Sequence, residues 1–199
     1  MRVVLATQNA HKLIEMRRIL DEAGLDIELV GTDQFPDLID VAETGSTFAA
    51  NALLKARSVC AETGLPAIAD DSGLGVDALN GMPGIFSARW SGAHGNDAAN
   101  LSLLLGQLSD VPDARRGAAF HCAAAVVFPD GTERVVEGSI DGTLIREPRG
   151  SNGFGYDPIF IPIGESRTTA EMSPDEKDAI SHRGRAMRAL VPVLRDLLG

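Results

Sequence analysis

The residues of this sequence that could do chemistry lie in four short polar runs, spread from one end of the chain to the other. The runs are Thr7-Gln8-Asn9-Ala10-His11-Lys12, Ala69-Asp70-Asp71-Ser72-Gly73, Phe154-Gly155-Tyr156-Asp157, and Lys177 with Ser181-His182-Arg183-Gly184. Between them they offer cations that suit phosphate, carboxylates that suit a metal ion, and an aromatic face that suits a base. The combination predicts a protein that binds a nucleotide.

The first run separates a buried-strand pattern, Val3-Val4-Leu5-Ala6, from an amphipathic helix pattern. Backbone N–H groups at the beginning of a helix favour an anion, Asn9 is a candidate N-cap, and Lys12 adds a positive charge. The run therefore predicts a phosphate-binding loop, although the glycine spacing of a P-loop is absent. A capped loop with a solvated lysine would give the same pattern.

The second run places two adjacent carboxylates, Asp70 and Asp71, at the end of a predicted strand at residues 67–69. Ligands of α/β sheets commonly bind at strand ends. Because adjacent carboxylates repel each other, we expect a cation between or beside them, and hard oxygen ligands suit Mg²⁺. Glu43, in the Glu43-Thr44-Gly45 loop, is a candidate for another metal ligand. The alternative is a strand-ending turn, since Asp, Ser and Gly are turn formers.

The third run follows the glycine-rich segment Gly150-Ser151-Asn152-Gly153. Glycines beside an aromatic residue let a loop wrap closely around a flat ring. Phe154 is therefore predicted to stack on a base, while Asp157 or nearby backbone hydrogen-bonds the base edge. The alternative is a turn into a strand at residues 158–161, with Phe154 and Tyr156 packed in the core.

The fourth run lies in and after a helix that begins at a capping box, Ser173-Pro174-Asp175-Glu176. Lys177 and Arg183 suit phosphate, while His182 and Arg183 can both donate to a carbonyl oxygen. A polar pair on a helix is often only solvated, so the case for this run depends on the other three.

The elements that must position these runs alternate between strand and helix patterns. Apolar spacing predicts helices around residues 13–20, from Ser46 or Thr47 to about residue 62, around 101–108, and around 190–197 with a kink or restart at Pro192. Alternation predicts strands at residues 3–5, 25–29, 67–69 and 74–78, and a hairpin of 118–128 with 132–140. The mixture of βα units and antiparallel hairpins indicates an α/β fold with a mixed sheet, in which we place no domain boundary.

The composition is that of an ordinary globular protein. The chain has 199 residues, 44% apolar and 23% charged, which suits one domain over residues 1–199. The net charge of −10 argues against nucleic acid as a partner. No apolar run approaches the roughly 20 residues of a membrane span, so we expect no membrane contact and a cytoplasmic location. Cys60 and Cys122 are expected as buried thiols.

Together with two further segments, the runs resemble the inosine/xanthosine triphosphate pyrophosphatases, a house-cleaning family that clears deaminated purine nucleotides. The resemblance rests on Thr7-x-Asn9-x-x-Lys12, Glu43-Thr44-Gly45, Ala69-Asp70-Asp71-Ser72-Gly73-Leu74, Pro83-Gly84-Ile85-Phe86-Ser87-Ala88-Arg89, Phe154-Gly155-Tyr156-Asp157-Pro158 and Ser181-His182-Arg183-Gly184, in that order. It implies an elongated two-lobed α/β fold around a long mixed β-sheet, with a nucleotide cleft between the lobes, and usually a homodimer.

The resemblance also implies roles for single residues. Asp71 would be the proton acceptor and a Mg²⁺ ligand, and Glu43 a further Mg²⁺ ligand. Residues 7–12 would hold the phosphates, although Gln8, Ala10 and His11 fill positions that the family pattern leaves open. The implied substrate-binding set is Thr7, Gln8, Asn9, Ala10, His11, Lys12, Ser72, Phe154, Gly155, Tyr156, Asp157, Lys177, His182 and Arg183.

The expected reaction is attack of water on the α-phosphorus, which gives a nucleoside monophosphate and pyrophosphate. Inosine and xanthosine carry a carbonyl at C6 where adenosine carries an amino group, so donors from His182 or Arg183 would select ITP, dITP, XTP and dXTP. Two alternatives stay open. One is a pyrophosphatase for modified pyrimidine triphosphates, and the other is a nucleotide sensor without turnover, which would not need Glu43, Asp70 and Asp71.

Overall fold

The computed structural model describes residues 1–7, 10–39 and 41–198. Its helices are α1 Ala10–Glu22, α2 Phe48–Thr63, α3 Asp97–Gln107, α4 Pro174–Ile180 and α5 His182–Leu198. Its strands are β1 Arg2–Leu5, β2 Glu28–Gly31, β3 Ala67–Val76, β4 Met82–Pro83, β5 Gly117–Val127, β6 Glu133–Leu144 and β7 Phe160–Pro162.

The strands form a mixed sheet in the order β2-β1-β3-β5-β6-β7, with β4 paired to β3. β1 is parallel to β2 and to β3, whereas β4 is antiparallel to β3 and β7 is antiparallel to β6. This topology confirms the predicted α/β class with a mixed sheet. The chain divides into two compact units, a first unit of Met1–Asp71, Cys122–Gly138 and Arg183–Gly199 and a second unit of Ser72–His121 and Ser139–His182.

The first unit buries apolar residues on both faces of its strands. Successive strand residues point to opposite faces, so Val3 and Leu5 pack in one apolar cluster and Val4 packs in another. Buried residues of α1 and α5 cover the first face, and buried residues of α2 cover the second. Coverage of both faces explains why these strands read as continuous apolar runs in the sequence.

The second unit has its own core, in which Phe120 packs edge-to-face on Phe160 at 4.7 Å between ring centroids. Beside this core, Arg116 is fully buried and donates to the carbonyl oxygens of Leu108, Leu144 and Ile145 at 2.7 to 3.2 Å. These bonds satisfy the buried guanidinium, as buried polar groups require. They also connect the end of α3 to the end of β6.

Several local predictions are confirmed. Thr47 caps α2 by accepting from the N–H of Ala50 at 3.1 Å, and Gly64 ends the helix in the left-handed conformation with φ of 67°. Ser173 and Glu176 form the predicted capping box of α4. Both cysteines are buried free thiols, as expected. Within the described ranges, no helix is long and apolar enough to cross a membrane.

The prediction that β3 ends at Ala69 is wrong. β3 continues to Val76, so Asp70 and Asp71 lie inside the strand rather than in a turn. Asp is rare in strands because an ionised side chain is costly to bury. Here both carboxylates have cationic partners, so the strand continues through them.

Three other features differ from the prediction. β2 begins at Glu28, because Leu25 and Ile27 pack against the first apolar cluster without pairing in the sheet. α5 continues through Pro192, so the predicted restart of this helix is wrong. β7 begins at Phe160, after a 3₁₀ turn over Asp157–Ile159.

Candidate active site

Asp70 and Asp71 are consecutive residues of β3, so their side chains point to opposite faces of the strand. Asp70 binds residues of α1 and α5, whereas Asp71 binds residues of α2. Of the two positions expected for a cation, between or beside the carboxylates, strand geometry disfavours the first because it separates the two side chains. A cation beside a single carboxylate of the pair is consistent with this arrangement.

Asp70 is 2% exposed and lies between two cations. Lys12 donates to Oδ1 and Oδ2 of Asp70 at 2.9 and 2.8 Å, and Nε of Arg183 donates to Oδ2 at 3.3 Å. Burial by itself would raise the pKa of Asp70, but Lys12 and Arg183 outweigh it and hold the pKa of this carboxyl well below its usual range. Asp70 thus holds two cations in place.

Asp71 has different surroundings, although it is also buried. Lys55 donates to Oδ1 of Asp71 at 3.0 Å, and the side-chain amide of Asn51 donates to Oδ2 at 3.2 Å. Burial raises the pKa of Asp71 and the negative charge of Glu43 adds to the rise, while Lys55 opposes it. The net effect is a pKa above the ordinary value for aspartate, which suits a group that accepts a proton.

Asn51 is fully buried and connects Asp71 to the loop that carries Glu43. Its amide oxygen accepts from the N–H of Gly45 at 2.8 Å, while its amide nitrogen donates to Asp71. A side chain at position 45 would bring a Cβ within 2.6 Å of that amide oxygen, so this loop needs glycine there. One buried amide therefore fixes the loop relative to Asp71.

Glu43 and Asp71 fit a divalent cation. Both carboxylates accept from the same ammonium group, Lys55 Nζ, at 2.8 and 3.0 Å. Although burial by itself would lower the pKa of Lys55, Asp71 and Glu43 outweigh it and raise the pKa. Mg²⁺ typically uses one or two carboxylates and fills its shell with phosphate oxygens and water, which matches this pair. Among the described residues, no group of three or more His, Cys, Asp and Glu side chains is arranged to hold a metal ion.

The predicted phosphate loop is described only in part. Thr7 follows β1, and its carbonyl oxygen accepts from the hydroxyl of Thr32 at 2.9 Å. Gln8 and Asn9 lie outside the described residues, as do the side chains of Ala10 and His11. The N-cap assigned to Asn9 and the substrate contacts of residues 8–11 therefore stay predictions. Lys12, in the first turn of α1, is fixed by its bonds to Asp70.

In the second unit, the predicted base-binding loop separates its two aromatic residues. Phe154 is 55% exposed, whereas Tyr156 is buried and donates its hydroxyl to the carbonyl oxygen of Ser87 at 2.9 Å. Burial raises the pKa of the Tyr156 phenol, and the charge of Asp97 adds to the rise. The sequence left open whether these aromatic residues pack in the core or are free to stack on a base. Tyr156 packs in the core, and Phe154 is exposed.

Asp157 is buried and binds groups of its own unit. Its Oδ2 accepts from the N–H of Phe154 at 2.9 Å and from Lys177 Nζ at 2.5 Å, while its Oδ1 accepts from the hydroxyl of Thr169 at 2.8 Å. A Cβ at Gly153 would come within 2.1 Å of Oδ2, so only glycine fits beside this carboxylate. Since both oxygens bond inside the protein, backbone is the better candidate for contact with a base edge.

Lys177 joins this cluster from α4. Its ammonium lies 5.2 Å from the ring centroid of Phe154, a cation–π distance, while it bonds to Asp157. The loop, the buried carboxylate and the lysine thus form one connected group of side chains.

The fourth polar run forms the junction between α4 and α5. Ser181 ends α4, and its N–H donates to the carbonyl oxygen of Lys177 at 2.8 Å. His182 begins α5 and stacks on Phe120 at 4.9 Å between ring centroids, with 11° between the planes. The next residue, Arg183, belongs to the first unit and binds Asp70 there. Ser72, the remaining predicted residue, is half-buried in β3.

Sequence reasoning missed Asn51 and Lys55. They are one helical turn apart on α2, on the side where Ala52 and Ala56 pack against the sheet. Polar residues at positions i and i+4 beside a buried helix face were the available signal, because such side chains need partners across the interface.

The fold and this site define a mixed α/β protein with a carboxylate pair suited to a divalent cation and a separate basic cluster suited to phosphate. The chain belongs to the Ham1 family, whose family model matches residues 3–193.

Relatives confirm the resemblance seen in the sequence. A protein of Streptomyces avermitilis named dITP/XTP pyrophosphatase is 65% identical over 198 residues, which cover 100% of this chain and 99% of the relative. The crystal structure of a nucleoside-triphosphatase, dITP/XTP pyrophosphatase, from Mycobacterium abscessus is 57% identical, with a TM-score of 0.82 and coverage of 98% and 100%. A HAM1 protein of Coxiella burnetii gives a TM-score of 0.91 at 45% identity, with coverage of 98% and 99%.

Proposed function

We propose that this protein hydrolyses deaminated purine nucleoside triphosphates (ITP, dITP, XTP and dXTP) to the monophosphate and pyrophosphate with Mg²⁺, and so keeps them out of nucleic acids. The names of its relatives support this substrate class. The observation that carries the proposal is the cluster of Glu43, Lys55 and Asp71, in which a carboxylate of raised pKa lies beside a second carboxylate and an ammonium.

Asp71 is assigned the role of proton acceptor for the attacking water. A general base is most effective when its pKa is near the operating pH, and burial raises the pKa of Asp71 in that direction. Lys55 opposes the rise in the pKa of Asp71, and Asn51 orients its carboxylate. Glu43 and Asp71 would hold Mg²⁺, which when bound offsets negative charge on the phosphate oxygens.

The phosphates are assigned to residues 7–12, and Ser72 is kept as a further substrate-binding residue. Lys12 is the best-defined member, since Asp70 fixes its ammonium from one side. An ammonium held by a single buried carboxylate has three N–H donors, so it can bond to Asp70 and to a phosphate oxygen together.

The base is assigned to the loop of residues 154–157. Phe154 would stack on the base, with Lys177 against its ring. Gly155, Tyr156 and Asp157 would act by holding the loop, and its backbone would contact the base edge. His182 and Arg183 would donate to the C6 carbonyl of hypoxanthine or xanthine, and these donors would stay unpaired opposite the amino group of adenine.

Three expectations from the sequence stay predictions. They are that residues 1–199 act as one domain, that the protein forms a homodimer, and that it is cytoplasmic. The alternative of a sensor without turnover is disfavoured by the carboxylate pair of Glu43 and Asp71 on one ammonium, because binding alone would not need it. Whether a modified pyrimidine triphosphate is the preferred substrate is tested by comparing its turnover with that of ITP.

The test is ³¹P NMR of the products formed by the purified protein from ITP, ATP, GTP and a modified pyrimidine triphosphate, with and without Mg²⁺. We expect IMP and pyrophosphate from ITP, only with the metal, and slow or no turnover of the others. IDP and phosphate would contradict the assigned bond. Tight ITP binding without turnover would favour the sensor, and preferred turnover of the pyrimidine would favour the other alternative.

A further inference from the structure

We propose that Asp97, the first residue of α3, is a positioning residue for Phe154. The inference rests on the proposed function, in which Phe154 stacks on the base. Asp97 lies 58 positions from Gly155 in the sequence and belongs to none of the four polar runs, yet the fold brings its carboxylate to the base-binding loop.

Two consecutive peptide N–H groups of this loop donate hydrogen bonds to carboxylates. The N–H of Gly155 donates to Oδ2 of Asp97 at 2.9 Å, and the N–H of Phe154 donates to Oδ2 of Asp157 at 2.9 Å. Hydrogen bonds to ionised acceptors are stronger than those between neutral groups. Because the peptide planes on both sides of its Cα are fixed in this way, the direction of the Phe154 Cα–Cβ bond is fixed as well.

Asp97 is not needed to cap its own helix. The side chain of Asn96 is the N-cap of α3 and accepts from the N–H of Ala99 at 3.2 Å. The helix is held in turn by the buried side chain of Asn100, which accepts from the N–H of Ser91 at 2.7 Å and donates to the carbonyl oxygen of Ala88 at 3.2 Å. The carboxylate of Asp97 therefore extends from a fixed support toward the loop.

The residue after Gly155 is held by the same part of the unit. Tyr156 donates its hydroxyl to the carbonyl oxygen of Ser87, whose own hydroxyl accepts from the N–H of Leu74 at 2.9 Å. Residues 154, 155 and 156 thus each have one anchor, while the ring of Phe154 is 55% exposed. An exposed ring on a fixed backbone stacks on a base with little loss of backbone conformational entropy, which favours binding.

The test compares Asp97→Ala with Asp97→Asn, which keeps an oxygen that can accept from Gly155. We expect Asp97→Ala to raise the KM for ITP about tenfold with little change in kcat, the effect of about one lost hydrogen bond. Asp97→Asn should restore most of the affinity. Asp110→Ala removes an exposed carboxylate from the same unit and serves as the matched control for charge.

Two further measurements separate positioning from general destabilisation. The inhibition constant of inorganic tripolyphosphate, which has no base, should be unchanged in Asp97→Ala. In a double-mutant cycle, Asp97→Ala should add little to Phe154→Ala, since both act through the same ring. Full additivity, an equal loss of tripolyphosphate affinity, or an unchanged KM in Asp97→Ala would overturn the inference. If Phe154→Ala itself leaves the KM unchanged, the proposed base site fails instead.

Discussion

Asp70 and Asp71 are neighbours in the chain with the same side chain, yet their surroundings have opposite effects on their pKa values. Asp70 lies between Lys12 and Arg183, which outweigh its burial and lower its pKa. Asp71 contacts Lys55, which also bonds to Glu43, and burial raises the pKa of Asp71. A carboxylate that stays ionised at every working pH is a weak base but a good anchor, whereas one with a raised pKa can accept a proton.

The comparison shows how a strand can give two adjacent residues different roles. Alternation sends Asp70 to the face covered by α1 and α5 and Asp71 to the face covered by α2. Each helix then supplies its own partners, two cations on one side and an amide with a lysine on the other. We therefore propose that Asp70 positions cations and that Asp71 takes part in proton transfer.

The largest effect is expected for Asp71→Asn. Removal of the general base should lower kcat for ITP about a thousandfold, while nucleotide affinity changes little. Steady-state kinetics and a binding titration with ITP measure the two quantities. A kcat close to that of the unchanged protein would remove Asp71 from the chemistry.

The same variant should not be less stable at neutral pH. Because the pKa of Asp71 is raised in the folded state, its contribution to stability is present below the unfolded pKa of about 3.9 and is lost as the pH rises through the folded pKa. The uncharged Asn side chain avoids that loss. Urea denaturation at neutral pH measures the free energy of unfolding, and a large decrease would contradict the raised pKa.

Asp70→Asn should instead act on stability. Lys12 and Arg183 would lose a buried anion, and we expect the free energy of unfolding to fall by about 3 kcal/mol at neutral pH. Since the folded pKa of Asp70 is lowered, this stabilisation is present above the unfolded pKa of about 3.9 and is lost as the pH falls through the folded pKa. The difference in free energy of unfolding between the unchanged protein and Asp70→Asn, measured by urea denaturation, should therefore become smaller in acid.

The control for Asp70→Asn is Asp113→Asn, which changes an exposed carboxylate that pairs with Arg146. An exposed ion pair contributes little, so this variant should keep the original stability. Equal losses in the two variants would mean that the burial of Asp70 between two cations has no special importance.

A smaller effect is expected for Lys55→Met. Lys55 opposes the rise in the pKa of Asp71, so its removal should move the acid limb of the kcat/KM profile to higher pH. The matched control is Arg57→Met on the same helix, whose exposed guanidinium pairs with Glu133. A shift toward lower pH, or the same shift in the control, would contradict the assigned coupling between Lys55 and Asp71.

The smallest effect is expected for Asn51→Ala. Without the amide bridge between Gly45 and Asp71, the loop that carries Glu43 loses a tether, and the Mg²⁺ concentration for half-maximal rate should rise about threefold. Asn100→Ala, which removes a buried amide from the second unit, is the control for lost stability. A similar rise in the control would remove Asn51 from the metal site.

Local patterns were enough to predict most elements of the fold. Apolar periodicity, the cap at Thr47 and the capping box at Ser173 gave helices that the structure confirms. The turn residues after Asp70 and Asp71 misled the prediction of β3, because propensity does not include the cations that neutralise these carboxylates. Those cations are distant in sequence, as the separation of 113 residues between Arg183 and Asp70 shows.

The site was predictable in its residue types but not in its pairings. Asp71 and Glu43 were found as carboxylates, whereas Lys55, which joins them, reads in the sequence as an ordinary helix lysine. Similarly, the sequence predicts that Asp157 or nearby backbone bonds the base edge, and only tertiary contacts show that both Asp157 oxygens have partners inside the protein. Such pairings depend on which helix covers which face of the sheet, and one sequence does not specify this.

The measurement that tests the contrast between the two carboxylates most directly is a pH titration by NMR of the protein labelled with ¹³C at the aspartate carboxyl carbons. The variants Asp70→Asn and Asp71→Asn would assign the two resonances. We expect Asp71 to titrate above the ordinary aspartate pKa of about 3.9 and Asp70 to stay ionised well below it. Titration of both near the ordinary value, or in the reverse order, would mean that the two carboxylates do not have the different roles proposed for them.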